Sequence, residues 1–250
     1  LFDRSTSPLQ LTEVGEVYIK AAEEIFQIEQ RVENYINNLT TLKTGSLSLG
    51  ASTLFAGYVL PPIVTDFKKK FPDVDIQITE GNTTLLESLL SNNSVDFVID
   101  NYHYDSTLYS RELCMENIFL AVPRHFRENE KLESYQLSHE SIQNKDYLKG
   151  TCPAVPLEHF SKLPFITLAP GNDTRIRADR LCREAGFHPH IILELDQQST
   201  AYMAASTQLG ATFISDMLVR QLPAFEHFVY YKLAGDSAHR QVYFYYKNHK

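Results

Sequence analysis

The sequence predicts an α/β protein in which a long N-terminal helix precedes two subdomains, each built on a mainly parallel sheet. From Thr12 to about Leu42 there is no proline and a single glycine, as expected of an uninterrupted helix. After this stretch, strand and helix patterns alternate in two separate series, 46–100 and 165–215. Parallel strands need helical crossovers, so each series indicates one α/β subdomain with helices on both faces of its sheet.

The N-terminal helix carries a heptad pattern. Thr12 is a candidate N-cap, because its hydroxyl can accept a hydrogen bond from a free N–H of the first turn. Apolar residues then recur every seven positions in two sets offset by three: Tyr18, Ala21, Ile25, Ile28, Val32, Tyr35, Leu39 and Leu42. Such a helix either lies on its own domain or pairs with a second copy. The narrow apolar seam and the polar remainder favour pairing, and Thr44-Gly45-Ser46 ends the helix.

The two series assign regular elements through most of the remaining chain. Alternating or apolar runs predict strands at 46–51, 74–80, 95–100, 165–170, 190–195 and 211–215. Helical patterns fill the intervals at 57–72, 83–93, 174–186 and 198–210. Residues 123–164 are polar and rich in proline, which indicates a crossover plus an insertion with a short helix near 138–148. The aromatic stretch 228–247 predicts two further strands.

Hydroxyl and amide side chains follow four of the predicted strands. Ligands of open parallel sheets bind beyond the carboxyl ends of the strands, where helices begin. The polar residues at these turns are Ser52, Thr53, Asn82, Thr83, Thr84, Asn172, Asp173, Thr174, Gln197, Gln198, Ser199 and Thr200. Neutral donors and helix N-termini would suit a small anion such as a carboxylate. Any one turn is explained as a simple N-cap, whereas four turns together favour a ligand site.

Composition excludes several classes of function. The chain has 250 residues and a net charge of -8, a poor surface for nucleic acid. It shows neither a membrane-spanning run nor a signal peptide, so a cytoplasmic protein without membrane contact is expected. Three cysteines without CxxC spacing indicate reduced thiols. The sequence contains no GxSxG, HExxH, GxGxxG or P-loop motif. We therefore expect that the protein is not an enzyme and has no catalytic residues, metal site or cofactor.

Three separated blocks resemble LysR-type transcriptional regulators: "LFDRSTSPLQLTEVGEVYIKAAEEI", "GSLSLGAST…LPPIVTDFKKKFPDVDIQITEGNT" and "LPFITLAPGNDTRIRADRLCREAGFHPHIILELDQQSTAYMAASTQLGATFIS". The resemblance implies the end of a DNA-binding wing at 1–11, a linker helix for dimerisation at 12–44, and an effector-binding domain at 45–250. That domain would hold two Rossmann-like subdomains, as in type 2 periplasmic binding proteins, here 46–122 plus 228–250 and 164–227. Promoter DNA would be bound only through a preceding domain missing from this chain, and the protein would form a homodimer or homotetramer.

The resemblance also implies which residues contact a small-molecule effector: Ser52, Thr53, Asn82, Thr83, Asn101, Gln197, Gln198, Phe213 and Ser215. None of these positions supplies a cationic anchor, so a carboxylate would depend on hydroxyls and backbone N–H groups. Two other classes of function stay open from the sequence. One is a stand-alone bilobal solute-binding protein, and the other is an enzyme that uses the same cleft.

Overall fold

A computed structural model describes residues 1–3, 8, 10–40, 45–104 and 108–247 of the chain. Strand β1 (Phe2–Asp3) pairs antiparallel with β2 (Gln10–Leu11), and helix α1 runs over Glu13–Thr40. The predicted N-cap is confirmed, because the Thr12 hydroxyl accepts a hydrogen bond from the Gly15 N–H at 3.1 Å.

The described residues of the heptad seam on helix α1 are not covered by the rest of the chain. The seam side chains that the structure describes are all exposed: Tyr18, Ala21, Ile25, Ile28, Val32 and Tyr35. The side chain of Leu39 and all of Leu42 and Thr44 lie outside the described part of the chain. Polar contacts join α1 to the rest of the molecule: the Gln27 amide reaches the Ser94 hydroxyl at 3.1 Å, and the Asn34 amide reaches the Ser46 hydroxyl at 3.1 Å. The described part of the apolar seam, Tyr18 to Tyr35, is therefore not buried within this chain.

The described residues that follow form ten more strands and six more α-helices. The strands are β3 Gly45–Ala51, β4 Val74–Glu80, β5 Phe97–Asp100, β6 Tyr109–Pro123, β7 Gln136–Leu137, β8 Pro164–Leu168, β9 His190–Leu195, β10 Ala211–Ser215, β11 Phe228–Lys232 and β12 His239–Tyr246. The helices are α2 Leu60–Lys70, entered through the π-helical turn Phe55–Val59, then α3 Thr83–Ser91, α4 His139–Gln143, α5 Asp173–Glu184, α6 Gln198–Ser206 and α7 Asp216–Gln221. Short 3-10 turns supplement them. The predicted α/β class and both alternating series are confirmed.

Strand β6 connects two lobes. The parallel strands β4-β3-β5, followed by antiparallel β12 and residues 109–117 of β6, form the first lobe together with α2 and α3. The parallel strands β10-β8-β9, residues 118–123 of β6, β11 and β7 form the second lobe with α4 to α7. This 15-residue strand thus belongs to both lobes, and the sequence patterns did not predict it.

The position of β11 differs from the sequence-based grouping of 228–250 with the first subdomain. Strand β11 pairs with the second-lobe end of β6 and with β7, whereas β12 pairs with β5 and the first-lobe end of β6. Both strands are aromatic and both run antiparallel to β6. Their sequence pattern consequently does not reveal which end of β6 each one meets.

Residues 123–164 contribute more to the core than the sequence predicted. The expected short helix is confirmed as α4 with a 3-10 turn at Asp146–Leu148. The segment also buries a set of apolar side chains in the second lobe: Leu132, Leu137, Ile142, Tyr147, Val155, Leu157, Phe160 and Leu163. Most of them lie in turns and irregular segments, so their burial cannot be predicted from a periodic sequence pattern.

None of the helices in the described ranges has both the length and the apolar character needed to cross a bilayer.

Candidate functional site

A cleft of about 440 Å³ lies between the two lobes, at the carboxyl ends of their parallel strands. Each side of the cleft is made by turns that lead from a strand into a helix. This position is the one that ligands occupy in open α/β sheets. The volume falls in the range of small-molecule pockets.

On the first lobe, hydroxyls at the cleft donate to carboxylates. Ser52 and Thr53 directly follow β3, and the Thr53 hydroxyl donates a hydrogen bond to Glu80, the last residue of β4. The Thr83 hydroxyl, in the first turn of α3, donates to Asp100 Oδ2 at 3.2 Å. These hydroxyls therefore orient carboxylates toward the same edge of the sheet.

Two amide side chains complete the first-lobe side. Asn82 caps α3, because its Oδ1 accepts a hydrogen bond from the Leu85 N–H at 2.9 Å, and it also lines the cleft. The Asn101 amide donates to Glu116 Oε2 at 3.1 Å. Capping and cleft lining are thus combined in one residue, Asn82.

On the second lobe, the Gln198 amide is held at both ends. Its nitrogen donates to the Thr174 hydroxyl at 2.6 Å, and its oxygen accepts from the Ser215 N–H at 3.1 Å. Gln197, which precedes α6, lines the cleft beside Gln198. Asn172 caps α5 by accepting from the Thr174 N–H at 2.9 Å. The N-termini of α5 and α6 consequently meet at this side of the cleft.

Most of the residues that the sequence assigned to an effector site line this cleft: Ser52, Thr53, Asn82, Thr83, Asn101, Gln197 and Gln198. The structure does not bring Phe213 or Ser215 to it. Phe213 is buried and stacks on Phe165, with ring centroids 5.8 Å apart. Ser215 is buried and caps α7 by accepting from the Met217 N–H at 3.1 Å. Both residues lie on β10, an interior strand between β6 and β8 that is covered on both faces.

A buried guanidinium that the sequence did not reveal bridges the two lobes. Arg240, on β12, is only 6% exposed and lines the cleft. It makes two hydrogen bonds to Glu116 on β6, at 2.6 and 2.9 Å, and one to Asp173 Oδ2 at 2.5 Å. Asp173 is the first residue of α5 and also accepts from Arg177 at 2.7 Å. Because Arg240 is 124 residues from Glu116 and 67 from Asp173 in the chain, no local motif indicates this network.

Charge pairing sets the pKa values of this network. Burial alone would raise the pKa of the Glu116 carboxyl, but the charge and hydrogen bonds of Arg240 outweigh burial and hold it below its ordinary value. The pKa of Asp173 is lowered in the same way, since Arg240 and Arg177 outweigh its burial. The pKa of Arg240 is raised, because its two carboxylate partners outweigh the cost of burying its charge.

Asp100 is a buried carboxylate without a cationic partner among the described residues. It is 2% exposed, and burial raises the pKa of its carboxyl. Hydrogen bonds from the Tyr104 hydroxyl and the Asn101 N–H, both at 2.7 Å, partly oppose that rise. Asp100 is therefore stabilised by neutral donors only.

The cleft as a whole is negatively charged. The residues in its described lining that carry a charge at neutral pH are Glu80, Asp100, Asp173, Asp196 and Arg240. Arg240 is the only cation among them, and Glu116 and Asp173 already neutralise it. Carboxylates consequently outnumber cations at this site.

We expect acid to destabilise the protein through the Arg240 network. A carboxyl with a depressed pKa in the folded state contributes stability that is present above its unfolded pKa, here 4.5 for Glu116 and 3.8 for Asp173. That stability is lost as pH falls through the folded values. Urea midpoints measured from pH 7 to pH 3 should therefore fall less steeply below about pH 4.5 in Glu116→Gln than in the parent. If the urea midpoints of the variant and the parent fell equally steeply with pH, Glu116 would not titrate as the network requires.

Comparison with protein families gives one match over most of the chain, the LysR substrate binding domain, over residues 40–250. Curated relatives include the uncharacterized HTH-type transcriptional regulator YcgK of Bacillus subtilis, 27% identical over 88% of this chain and 67% of that protein. The HTH-type transcriptional regulator cbl of Klebsiella aerogenes is 24% identical over 83% of this chain and 60% of the relative. The chain spans 60–68% of the length of such relatives.

Solved structures share the fold at low sequence identity. The regulatory domain of Synechocystis PCC6803 CcmR, in complex with 2-PG, has a TM-score of 0.65 and 17% identity, covering 83% of this chain and 89% of that one. The cofactor-binding domain of the Cbl transcriptional regulator has a TM-score of 0.62 and 19% identity, covering 83% and 82%. Full-length CbnR, complexed with its target DNA, has a TM-score of 0.66 and 13% identity, covering 96% and 77%.

Proposed function

This chain belongs to the LysR substrate-binding-domain family, and we propose from this premise that it is the ligand-sensing and oligomerising part of a transcriptional regulator. The observation that carries the proposal is the cleft of about 440 Å³, to which both lobes contribute polar turns at strand ends. Two solved structures with a similar fold support the proposal: one is a cofactor-binding domain, and the other is a regulatory domain in complex with 2-PG. A small metabolite bound between the lobes is thus the signal.

The lobes transmit that signal by changing their relative position. A ligand that contacts both lobes shifts an equilibrium between two arrangements only if it binds one of them more tightly. Strand β6 and the contact between Arg240 and Asp173 both cross from one lobe to the other, so they would bend or re-pair when the cleft closes. The Asn34–Ser46 contact joins the first lobe to α1 and provides a route to the helix.

Helix α1 is the oligomerising element of this proposal. Its seam residues are more than half exposed at Tyr18, Ile25 and Val32, although they are apolar. A heptad seam of this kind is buried when two helices pair, which gives a homodimer or, through further contacts, a homotetramer. We assign promoter DNA binding to parts of the full-length regulator outside residues 1–250, as the larger size of the relatives supports. A stand-alone solute-binding protein would leave the exposed seam without a role.

The sequence favours a carboxylate effector, and one structural feature supports that expectation. The N-termini of α3, α5 and α6 meet at the cleft, and each carries a partial positive charge. The carboxylates Glu80, Asp100 and Asp196, which have no ionic partner among the described residues, oppose it. Helix termini alone therefore do not decide the charge of the effector.

Thr53→Val tests the location of the site. A thermal-shift screen against amino acids, organic acids and aromatic carboxylates identifies ligands, because a ligand that binds only the folded state raises its stability. We expect Thr53→Val to weaken the best ligand by roughly 1–3 kcal/mol, since the substitution keeps the shape and removes a hydroxyl that orients Glu80. The matched control is Thr65→Val on α2, whose exposed hydroxyl bonds the Pro61 carbonyl. Equal affinities for both variants and the parent would place the site elsewhere.

A further inference from the structure

We propose that the ion pair between Arg240 and Asp173 is a latch that holds the two lobes in the arrangement of this structure, and that the cleft changes its width when the pair opens. The inference rests on the proposed function for its link to an effector, and it adds the contact that regulates the site. The opening itself needs no effector and can be measured on the free chain. Three features carry it: the position of the pair, the unequal hold on its two ends, and the other contacts between the lobes.

The pair connects the lobes close to the place where the chain passes between them. In the described chain, two segments make that passage: β6 crosses at residues 117–118, and residues 233–238 join β11 to β12. Arg240 is the second residue of β12 and is in register with Glu116, one residue before the crossing. Asp173 begins α5 of the second lobe, and it lines the cleft together with Arg240. The 2.5 Å hydrogen bond from Arg240 Nη1 to Asp173 Oδ2 therefore ties the two lobes together at the cleft.

The first lobe holds Arg240 firmly. Glu116 accepts hydrogen bonds from its Nε and Nη2 at 2.6 and 2.9 Å, and the Glu116 side chain is 0% exposed. Two such parallel charge-assisted bonds fix the orientation of a guanidinium as well as its distance. Separation of this pair would leave a buried carboxylate without its ionic partner, which is costly. Arg240 consequently stays with β6 when the lobes move.

Asp173 is the end of the latch that can be released. Its side chain is 41% exposed, so water can solvate the carboxylate after it leaves Arg240. It also keeps a cation of its own lobe, because Arg177, one turn further along α5, donates to Asp173 Oδ2 at 2.7 Å. Opening therefore exchanges one hydrogen bond for solvation and leaves each of the charged groups with one ionic partner.

Two other contacts between the lobes form a pivot. At the crossing of β6, the Asn117 N–H donates to Asp216 Oδ1 at 2.9 Å. Met217, the second residue of α7, is buried in a first-lobe cluster that includes Phe55 and Val242. Because exposure of apolar surface to water costs free energy in proportion to its area, this packing resists separation. We assign the pivot to β6 and α7, and the opening movement to the ion pair at the start of α5.

A latch of this kind gives the cleft two arrangements on which an effector can act. Switching proteins commonly use rigid-body rotation of domains in which interface salt bridges re-form. A ligand that fits one arrangement better than the other shifts their populations by its difference in affinity. The strength of the latch therefore sets how much of that difference is needed to move the lobes.

Pulsed dipolar spectroscopy of two spin labels measures the distance between the lobes. Labels at Ser88→Cys on α3 and Met203→Cys on α6 place one probe at an exposed helical position of each lobe. Cys114 and Cys152 are first replaced by serine, whereas Cys182 is buried and is kept. An excess of unlabelled chain removes distances between protomers, so the test applies to a monomer and to an oligomer.

Asp173→Ala removes the latch, and Asp179→Ala is the matched control. Asp179 lies on the same helix, its side chain is 36% exposed, and its partner Arg175 belongs to the same lobe. We expect Asp173→Ala to shift the mean distance by more than about 2 Å or to add a second population, and the control to keep the distribution of the parent. Asp173→Asn keeps one acceptor oxygen without the charge and should give a smaller change in the same direction.

The possible results separate failure of the latch from failure of the proposed function. A change in Asp173→Ala that is absent from Asp179→Ala supports the latch. Identical distributions in the parent and Asp173→Ala contradict it, and so does an equal change in both alanine variants. If circular dichroism shows that Asp173→Ala is unfolded, Asp173→Asn decides in its place by the same criteria. None of these results requires a ligand, so a failed latch leaves the ligand screen and Thr53→Val as an independent test of the cleft.

Discussion

Replacing Arg240 by methionine is expected to lower the free energy of unfolding by about 3–5 kcal/mol, because it leaves Glu116 buried without its ionic partner. The Arg240 side chain is 5% exposed and that of Glu116 is fully buried, so water cannot replace the lost hydrogen bonds. Urea unfolding followed by circular dichroism measures the change. Arg177→Met is the matched control: Arg177 also bonds Asp173, but its side chain is 23% exposed, and we expect a loss of at most about 1 kcal/mol.

A double variant separates the cost of an unpaired charge from the net worth of the pair. Buried ion pairs replaced by apolar residues often retain stability, whereas removal of one partner does not. We therefore expect Arg240→Met combined with Glu116→Leu to recover most of the stability that Arg240→Met loses. A single variant as stable as the parent would contradict the buried network, and so would a double variant no more stable than the single one.

Two aspartates in the seam of α1, Ile25→Asp with Ile28→Asp, are expected to convert the proposed oligomer to a monomer. Pairing of the helices would bury both side chains, and an unpaired charge in that position is costly. We expect the dissociation constant to rise at least about 100-fold, which corresponds to roughly 2.7 kcal/mol. Size-exclusion chromatography with light scattering measures the mass.

The stability of the monomer should stay close to that of the parent chain, since Ile25 and Ile28 are 59% and 52% exposed within one chain. Lys20→Asp is the control, because it introduces the same side chain at an exposed position outside the seam. A parent chain that stays monomeric at high concentration would refute α1 as the pairing element, and so would an unchanged mass in the double variant.

Local sequence patterns predicted the strands of the parallel sheets well. Strands 74–80, 190–195 and 211–215 have the predicted bounds, because alternation or a short apolar run ends at a turn residue in each case. Strand β6 was missed because its first half is exposed and carries charged residues, whereas its second half is buried at every position except Asn117. Because the two halves have different patterns, the sequence does not indicate that they form a single strand.

The location of the cleft was more predictable than its charge. Turn residues such as Thr53 and Gln198 could be placed because the carboxyl ends of parallel strands meet at one edge. Glu80 and Asp100 end their strands and were considered only as parts of those strands. The Arg240 network depends on contacts across 67 and 124 residues of chain, which composition and spacing do not encode. Phe213 and Ser215 were placed by resemblance alone, and β10 carries them behind the cleft lining.

A crystal structure of the chain with the best ligand from the screen tests most directly that the cleft between the lobes is the effector site. We expect the ligand to lie between the lobes, in contact with Thr53 on one side and Gln198 on the other. A ligand bound elsewhere, with these two side chains untouched, would contradict the account.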